Sequence, residues 1–359
     1  SSPKDPALQR DTSKYGEFIY IGEKNKAYNF INKLKADIFV MTTPGLDVLQ
    51  IKRNKGVAHY CHIVHSLTPM TYRVFGVDYF DSVLVANTTQ RDFIRDIESA
   101  HKIKAKHIAI TGSTYLDELH KLRLDLICDK SKCKQNNTQD STPTILISPS
   151  WGKESLLNKY GLALLLPLAQ SGFHIIIRPH PQSFIAPNEK ANIQELQDVL
   201  STFSNVSWDS NTPNIYVFLK ADMMISDFSS VIFDFICLEK KPVLTIDNEM
   251  DLSGYDMADI PREDIWTFKA LERIGGRIKS TDFPHIKELC KKALKQTSQL
   301  DEIKTLLWQY PLSAGEVSAL EILKIEREII ESKLKPYMSS IARLRELDKM
   351  IERAKKDAI

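Results

Sequence analysis

The sequence predicts an α/β chain with two Rossmann-like domains facing each other across a cleft and a helical C-terminal tail. Three observations carry this reading. Short apolar runs alternate with helix-like segments through both halves, which implies βαβ units and parallel sheets. A polar, apolar-poor stretch from Asp129 to Pro143 separates the halves. The length of 359 residues also exceeds what one hydrophobic core ordinarily organises. The expected boundaries are 1–140 for an N-terminal domain, 141–312 for a second domain and 313–359 for the tail.

In the first half, Phe18–Gly22, Ile38–Thr43, Val57–Val64, Asp81–Ala86 and Ile108–Thr111 read as strands. A helix begins at Thr88 or Thr89, either of which can cap it, and runs to Ser99; another spans Tyr115–Leu126. In the second half, Thr144–Ser150, His174–Ile177, Ala221–Ile225 and the run within Lys241–Asp247 are strands, and Val231–Leu238 is a helix. Asn248–Asp264 is acidic and loop-like, and helices are expected at Ile286–Gln299 and Asp301–Tyr310. From Ala314 to Ala358 the pattern is helical and charged, broken at Pro336. No repeat of fixed period is present.

A formal net charge of +2 gives no reason to expect a nucleic-acid partner. Cys61, Cys128, Cys133, Cys237 and Cys290 are odd in number and irregular in spacing, which suits reduced thiols in a cytoplasmic protein. No apolar run approaches the roughly 20 residues that span a bilayer, and no secretory signal is visible. The chain opens Ser1-Ser2 without methionine, which leaves room for an upstream anchor or domain.

Three strands of the second half end in polar clusters, and in an open parallel sheet ligands bind outside such ends. Ser150, Trp151 and Gly152 follow the first: glycine permits close backbone approach, and the indole suits a cleft wall or plain loop packing. Arg178-Pro179-His180-Pro181 follows the second; the prolines stiffen the turn, arginine can fork onto phosphate oxygens, and a cationic histidine could stabilise a leaving group. Ser226, Asp227, Ser229 and Ser230 follow the third and open a helix, whose amides and hydroxyls attract anions or form an ordinary capping cluster. Asp227 would repel a phosphate it faced, so it is expected to cap the helix or hold a donor in place. Asp234, one turn inside, could accept from ribose hydroxyls. In the first half, His65 closes a strand at the expected cleft mouth and suits a general base, with His62 and His59 as competitors and Ser66 beside it. No carboxylate lies at ligand spacing from these histidines, so no metal site is expected. The dinucleotide glycine fingerprint and the Walker A loop are absent, and Gly275-Gly276 lacks the context of either.

These motifs resemble the CDP-glycerol glycerophosphotransferase family, the teichoic-acid primases and polymerases. The match runs through Ser148-Pro-Ser-Trp-Gly152, Arg178-Pro-His-Pro181, Ser226-Asp-Phe-Ser-Ser230 with Phe233-Asp234, and Lys241–Asp247; His65-Ser66 and the Gly112–Asp117 turn add to it. The resemblance implies a GT-B-like fold and metal-independent transfer without a cofactor. It implies a CDP-linked donor in the second domain, held by Arg178, His180, Ser229 and Ser230, with Asp234 on the ribose and His65 as base. The implied reaction moves a polyol phosphate, of glycerol or ribitol type, to a hydroxyl of a cell-surface glycan or lipid-linked acceptor. It also implies peripheral contact with the inner face of the cytoplasmic membrane. Ser66 replaces a common glycine, and Thr114-Tyr115 a common Pro-Arg pair, which points to a divergent branch making another surface polymer. Competing readings are a GT-B glycosyltransferase using nucleotide sugars, a sugar-nucleotide epimerase on the same architecture, and a non-catalytic binding protein. The tail, with Lys333, Lys335, Arg343, Arg345 and Lys349 interleaved with acids, suits a helix packing across the domains or a homo-oligomer contact better than a membrane-surface helix.

Overall fold

The computed structural model describes residues 3–4, 6–9, 16–69, 76–132, 142–210, 212–247, 249–255, 257–258, 260–295 and 300–357. It contains two parallel sheets. The first has strands β1 (Ala36–Met41), β2 (Val57–Ile63), β3 (Ser82–Val85) and β4 (His107–Ile110), lying side by side in chain order. The second has β5 (Thr144–Ile147), β6 (His174–Ile177), β7 (Val206–Trp208), β8 (Met223–Ser226), β9 (Val243–Ile246) and β10 (Gly276–Ile278), in the order β10-β9-β8-β5-β6-β7.

The second sheet explains its own sequence pattern. Ile145, Ile147, Ile175, Ile177, Met223 and Ile225 enter the core on one face; Leu146 and Met224 enter the core on the other. Both faces are covered, so the strands read as unbroken apolar runs rather than as alternation. The first sheet has its own core around Met41, Leu46, Tyr60, Val83, Val85 and Ile94.

The structure departs from the expected elements in several places. Phe18–Gly22 joins no ladder, and Phe18, Ile19 and Tyr20 are exposed. An apolar run becomes a strand only where a neighbour accepts its backbone bonds, and this one has none. The β1–β2 crossover contains no helix, whereas β3 and β4 are joined by the expected helix, Thr88–His101. Asn87, not Thr88 or Thr89, caps that helix by accepting from the Gln90 amide. Elements not anticipated include the Asn25–Ile31 helix, β7, the Trp266–Ile274 helix and β10, which begins at Gly276. The helix expected at Tyr115–Leu126 extends over Thr114–Lys132, into the polar segment taken as the boundary, while Cys133 lies outside the described residues.

Packing crosses the 140/141 boundary. The Thr114–Lys132 helix of the first half packs against the Asn214–Lys220 and Val231–Glu239 helices of the second, and one core cluster includes Leu116 and Leu119 beside Phe218, Phe235 and Leu307. The chain then crosses back to the first sheet through residues 308–313. Asp117 secures this return: its carboxylate accepts from Trp308 Nε1 (3.1 Å), the Leu312 amide (2.9 Å) and the Ala314 amide (3.0 Å). Gly112 (φ +84°) makes room for it, since a Cβ there would lie 2.6 Å from the Gln309 carbonyl oxygen. Asn87 Nδ2 adds a bond to the Leu307 carbonyl. The tail continues as a helix over Ala314–Leu334, a 3₁₀ turn at Lys335–Tyr337 and a helix over Met338–Asp357. Its first helix reaches the first sheet through Glu321–His107 (2.6 Å) and Lys333–Asp37 (2.9 Å).

Asp117→Ala strands three donors at this crossing. It should cost roughly 3 kcal/mol or more, since each buried unpaired donor costs about 1–3 kcal/mol. Urea unfolding should show a lower midpoint with an unchanged slope.

Candidate active site

The strand order of the second sheet reverses between β5 and β8, and loops leaving neighbouring strands diverge at such a point to open a crevice. Three loops meet there: Ser148–Gly152 after β5, Arg178–Pro181 after β6 and Asp227–Ser230 after β8. Opposite them stand Val64–Ser66, after β2, and Tyr115. Together they line a cleft of about 870 Å³, within the roughly 300–1,000 Å³ typical of small-molecule sites.

Asp227 sets the shape of the cleft wall formed by the second sheet. One carboxylate oxygen accepts from the amides of Ser150 (2.9 Å), Phe228 (2.7 Å) and Ser229 (3.1 Å); the other accepts from Ser150 Oγ (2.9 Å) and the Leu156 amide (2.8 Å). Burial pushes this carboxyl above its ordinary pKa against the pull of those donors. Ser226 Oγ donates to the Ser148 carbonyl (2.6 Å). Ser226 and Asp227 are therefore the frame that joins the β5 and β8 loops, and neither lines the cleft. The reading of Ser226, Asp227, Ser229 and Ser230 as one anion-attracting cluster is corrected accordingly: of the four, Ser229 and Ser230 reach the cleft. Ser150, Ser229 and Ser230 do line it, and the Ser230 hydroxyl caps nothing although it stands at the helix N-cap.

Arg178 lines the cleft with its guanidinium already engaged. It pairs with Asp209, donates from Nε to Asn214 Oδ1 (3.1 Å) and from Nη2 to the Thr212 carbonyl (2.6 Å). The expected free fork is thus tied to the loop after β7. His180 Nδ1 accepts from the Gln182 amide (3.1 Å), so the proton of the neutral ring sits on Nε2. Burial pushes this imidazole below its ordinary pKa, so it enters the cleft as a neutral donor rather than as a cation. Trp151 lies nearly parallel to it, with centroids 6.3 Å apart. Gly152 donates its amide to Glu189 Oε1 (2.9 Å); at φ +94° it sits so close to Tyr255 that a Cβ would lie 2.6 Å from the phenol oxygen.

Asp234 is half-buried in the cleft wall, and its carboxyl makes no hydrogen bond among the described residues. Burial pushes its carboxyl up to about 7. Across the cleft, burial and the nearby Asp234 raise the Tyr115 phenol, whose oxygen accepts from Asn214 Nδ2 (3.4 Å).

On the opposite wall, His65 is exposed to the cleft. His62 is buried at 1% exposure against Phe80, and its Nδ1 lacks a partner. Burial, then the neighbouring His65, lowers its pKa to about 4, so it is neutral at physiological pH. His59 falls on the other face of β2, bonds Ser82 Oγ (2.8 Å) and does not line the cleft. Ser66 Oγ donates to the Thr68 carbonyl (3.1 Å). Among the described residues, no three His, Cys, Asp or Glu side chains are grouped to hold a metal ion.

Sequence reasoning missed Asp209, Asn214, Glu189 and Tyr255. The first two follow β7, and the strand-end rule applied to Val206-Ser-Trp208 would have found them. Glu189 lies on a helix and Tyr255 in a loop, with no local signal for either.

A profile of the CDP-Glycerol:Poly(glycerophosphate) glycerophosphotransferase family matches residues 49–258. No curated protein matches the chain. Among solved structures, the wall teichoic acid polymerase TagF is similar with a TM-score of 0.54 at 19% identity, covering 86% of this chain and 75% of its own. A TagF variant soaked with CDPG gives 0.54 at 20% identity, covering 85% and 74%. At this identity the likeness is one of fold, and it agrees with the GT-B-like architecture expected from the motifs.

The Asp234 carboxyl titrates near 7 when folded but near the ordinary carboxylate value when unfolded, so between these values the folded state holds the extra proton. Stability should therefore fall as pH rises from about 4 to 7. Asp234→Asn should flatten that slope and gain stability over the parent at pH 8 relative to pH 5, measured as urea midpoints.

Proposed function

Because this chain belongs to the CDP-glycerol:poly(glycerophosphate) glycerophosphotransferase family, we propose that its cleft moves a polyol phosphate from a CDP-linked donor, glycerol phosphate first among candidates, to a hydroxyl of a lipid-linked or glycan acceptor. One observation carries the reading: a histidine from the first half and the phosphate-type donors of the second line a single cleft.

In this mechanism His65 takes the proton of the acceptor hydroxyl, whose oxygen attacks the phosphorus next to the polyol. A new P–O bond forms as the bond to the bridging oxygen breaks, and CMP leaves with the electron pair. The Nε2–H of His180, the hydroxyls of Ser229 and Ser230 and the start of the Val231–Glu239 helix supply hydrogen bonds to the phosphates. Trp151 and Gly152 border the donor. Asp234 accepts from a hydroxyl of the ribose or polyol. His62, neutral and buried beside His65, keeps a second positive charge away from the base. Arg178 acts through position, holding the β6 and β7 loops together. Alignment and preorganised dipoles supply most of the rate, as in other phosphoryl transfers.

No helix among the described residues is long and apolar enough to cross a membrane. A lipid-linked acceptor would bring the protein to the inner face of the cytoplasmic membrane peripherally, and the C-terminal helices offer a surface for self-association.

His65→Ala and His180→Ala should each lower CMP release from CDP-glycerol by about 10²-fold or more, with circular dichroism unchanged. Full activity in both would refute the assignment. CDP-glycerol at 100-fold its Kd should stabilise the protein by about 2.7 kcal/mol in thermal unfolding; stabilisation by UDP-sugars instead would move the chain to the glycosyltransferase or epimerase reading.

A further inference from the structure

One donor hydrogen of the cleft is left unspent. A guanidinium only donates, so the Asn214 side-chain oxygen faces Arg178 Nε (3.1 Å), and this fixes the orientation of the Asn214 amide. Its Nδ2 end then meets the Tyr115 phenol and donates to the phenol oxygen at 3.4 Å. A phenol that accepts in this way still has its own O–H to give. The phenol makes no other hydrogen bond among the described residues, and Tyr115 lines the cleft, 44% exposed.

Asp234 is the complementary group. Its carboxyl lines the same cleft and is likewise without a hydrogen bond among the described residues. Burial first, then the charge of Asp234, raises the phenol pKa, so the two groups are neighbours and the phenol keeps its proton at neutral pH. Both stand on helices rather than loops. Tyr115 is the second residue of the Thr114–Lys132 helix, which packs against the Asn214–Lys220 and Val231–Glu239 helices; Asn214 opens the former, and Asp234 lies in the first turn of the latter. Helix packing between the halves therefore sets the spacing of phenol and carboxyl.

This corner is unsuited to the charged part of a nucleotide. The Arg178 head is taken up by Asp209, Asn214 and the Thr212 carbonyl. A carboxyl beside the phenol opposes a phosphate whenever it is ionised. An apolar occupant would leave two partly buried polar groups unpaired, at a cost in free energy. A vicinal diol satisfies both: one hydroxyl oxygen accepts from Tyr115, and the neighbouring hydroxyl donates to Asp234. CDP-glycerol carries two such diols, one on the ribose and one on the glycerol.

We propose that Tyr115 is a specificity-determining residue whose phenol donates to one hydroxyl of a vicinal diol on the donor, the other hydroxyl being held by Asp234. Asn214 is the positioning residue that aims the phenol. The proposal rests on the CDP-linked donor of the transferase reading and deepens it by giving the first half of the chain a part in donor recognition.

The test is isothermal titration of the full chain with CDP-glycerol and its four mono-deoxy analogues, two modified on the ribose and two on the glycerol, alongside CMP release. Tyr115→Phe keeps the ring and its packing. It should weaken CDP-glycerol binding about tenfold with circular dichroism unchanged. It should raise KM with kcat retained, because a contact remote from the phosphorus acts equally on ground and transition states. With the parent, the analogue lacking the hydroxyl that Tyr115 meets should bind about tenfold more weakly. Tyr115→Phe should cost nothing further with that analogue, while keeping its full cost with both analogues of the other diol. The identity of the coupled analogue names ribose or glycerol as the source of the diol. Parent affinity in Tyr115→Phe, or the same loss with every analogue, overturns the proposal. CMP release without this coupling leaves the transferase reading and removes the proposal; coupling without CMP release does the reverse. A parent that fails to bind CDP-glycerol overturns both.

Discussion

The buried carboxylate of Asp227 is the constraint on which the second-sheet wall of the cleft depends. The loops after β5 and β8 leave neighbouring strands at the point where strand order reverses, so their natural tendency is to separate. Asp227 holds them in register by accepting five hydrogen bonds, from Ser150, Leu156, Phe228 and Ser229. A neutral side chain of similar size could accept fewer of them. The hydroxyls of Ser229 and Ser230 and the stacked Trp151–His180 pair lie against the cleft because this frame is in place. The carboxylate acts by organising donors, and no substrate contact is asked of it.

A second constraint fixes the walls relative to each other. The Thr114–Lys132 helix belongs to the first half by sequence and to the second half by packing, and Asp117 on that helix anchors the returning chain. The Gly112–Asp117 motif, six residues that look like a turn, turns out to be the socket for residues 308–314. The wall bearing His65 and the wall bearing His180 are thus joined through a shared apolar core as well as through chain connectivity.

Most of the fold was legible because both faces of the second sheet are buried, which writes its longer strands as apolar runs. The same signal misled at Phe18–Gly22, where composition is right but no neighbouring strand exists. β7 and β10 were invisible because three residues carry too little pattern. At the site, residue types and strand ends were readable, and side-chain direction was not. Ser226 and Asp227 turn inward because their bonding partners sit on the adjacent loop, 77 or 78 positions away in the chain. The engagement of Arg178 was hidden because its partner Asp209 follows the unseen β7, and for His180 the tautomer rests on a local amide contact and the lowered pKa on burial, neither of which spacing encodes.

The ion pair between Arg178 and Asp209 also bears on how the enzyme lets go. The other lysine or arginine lining the cleft among the described residues, Lys153, is paired with Asp251. Neither cation stands bare to seize a departing nucleotide. A pocket that grips through uncharged N–H and O–H groups holds a dianion loosely and feels ionic strength only weakly. In the proposed reaction, spent CMP would then vacate the site readily.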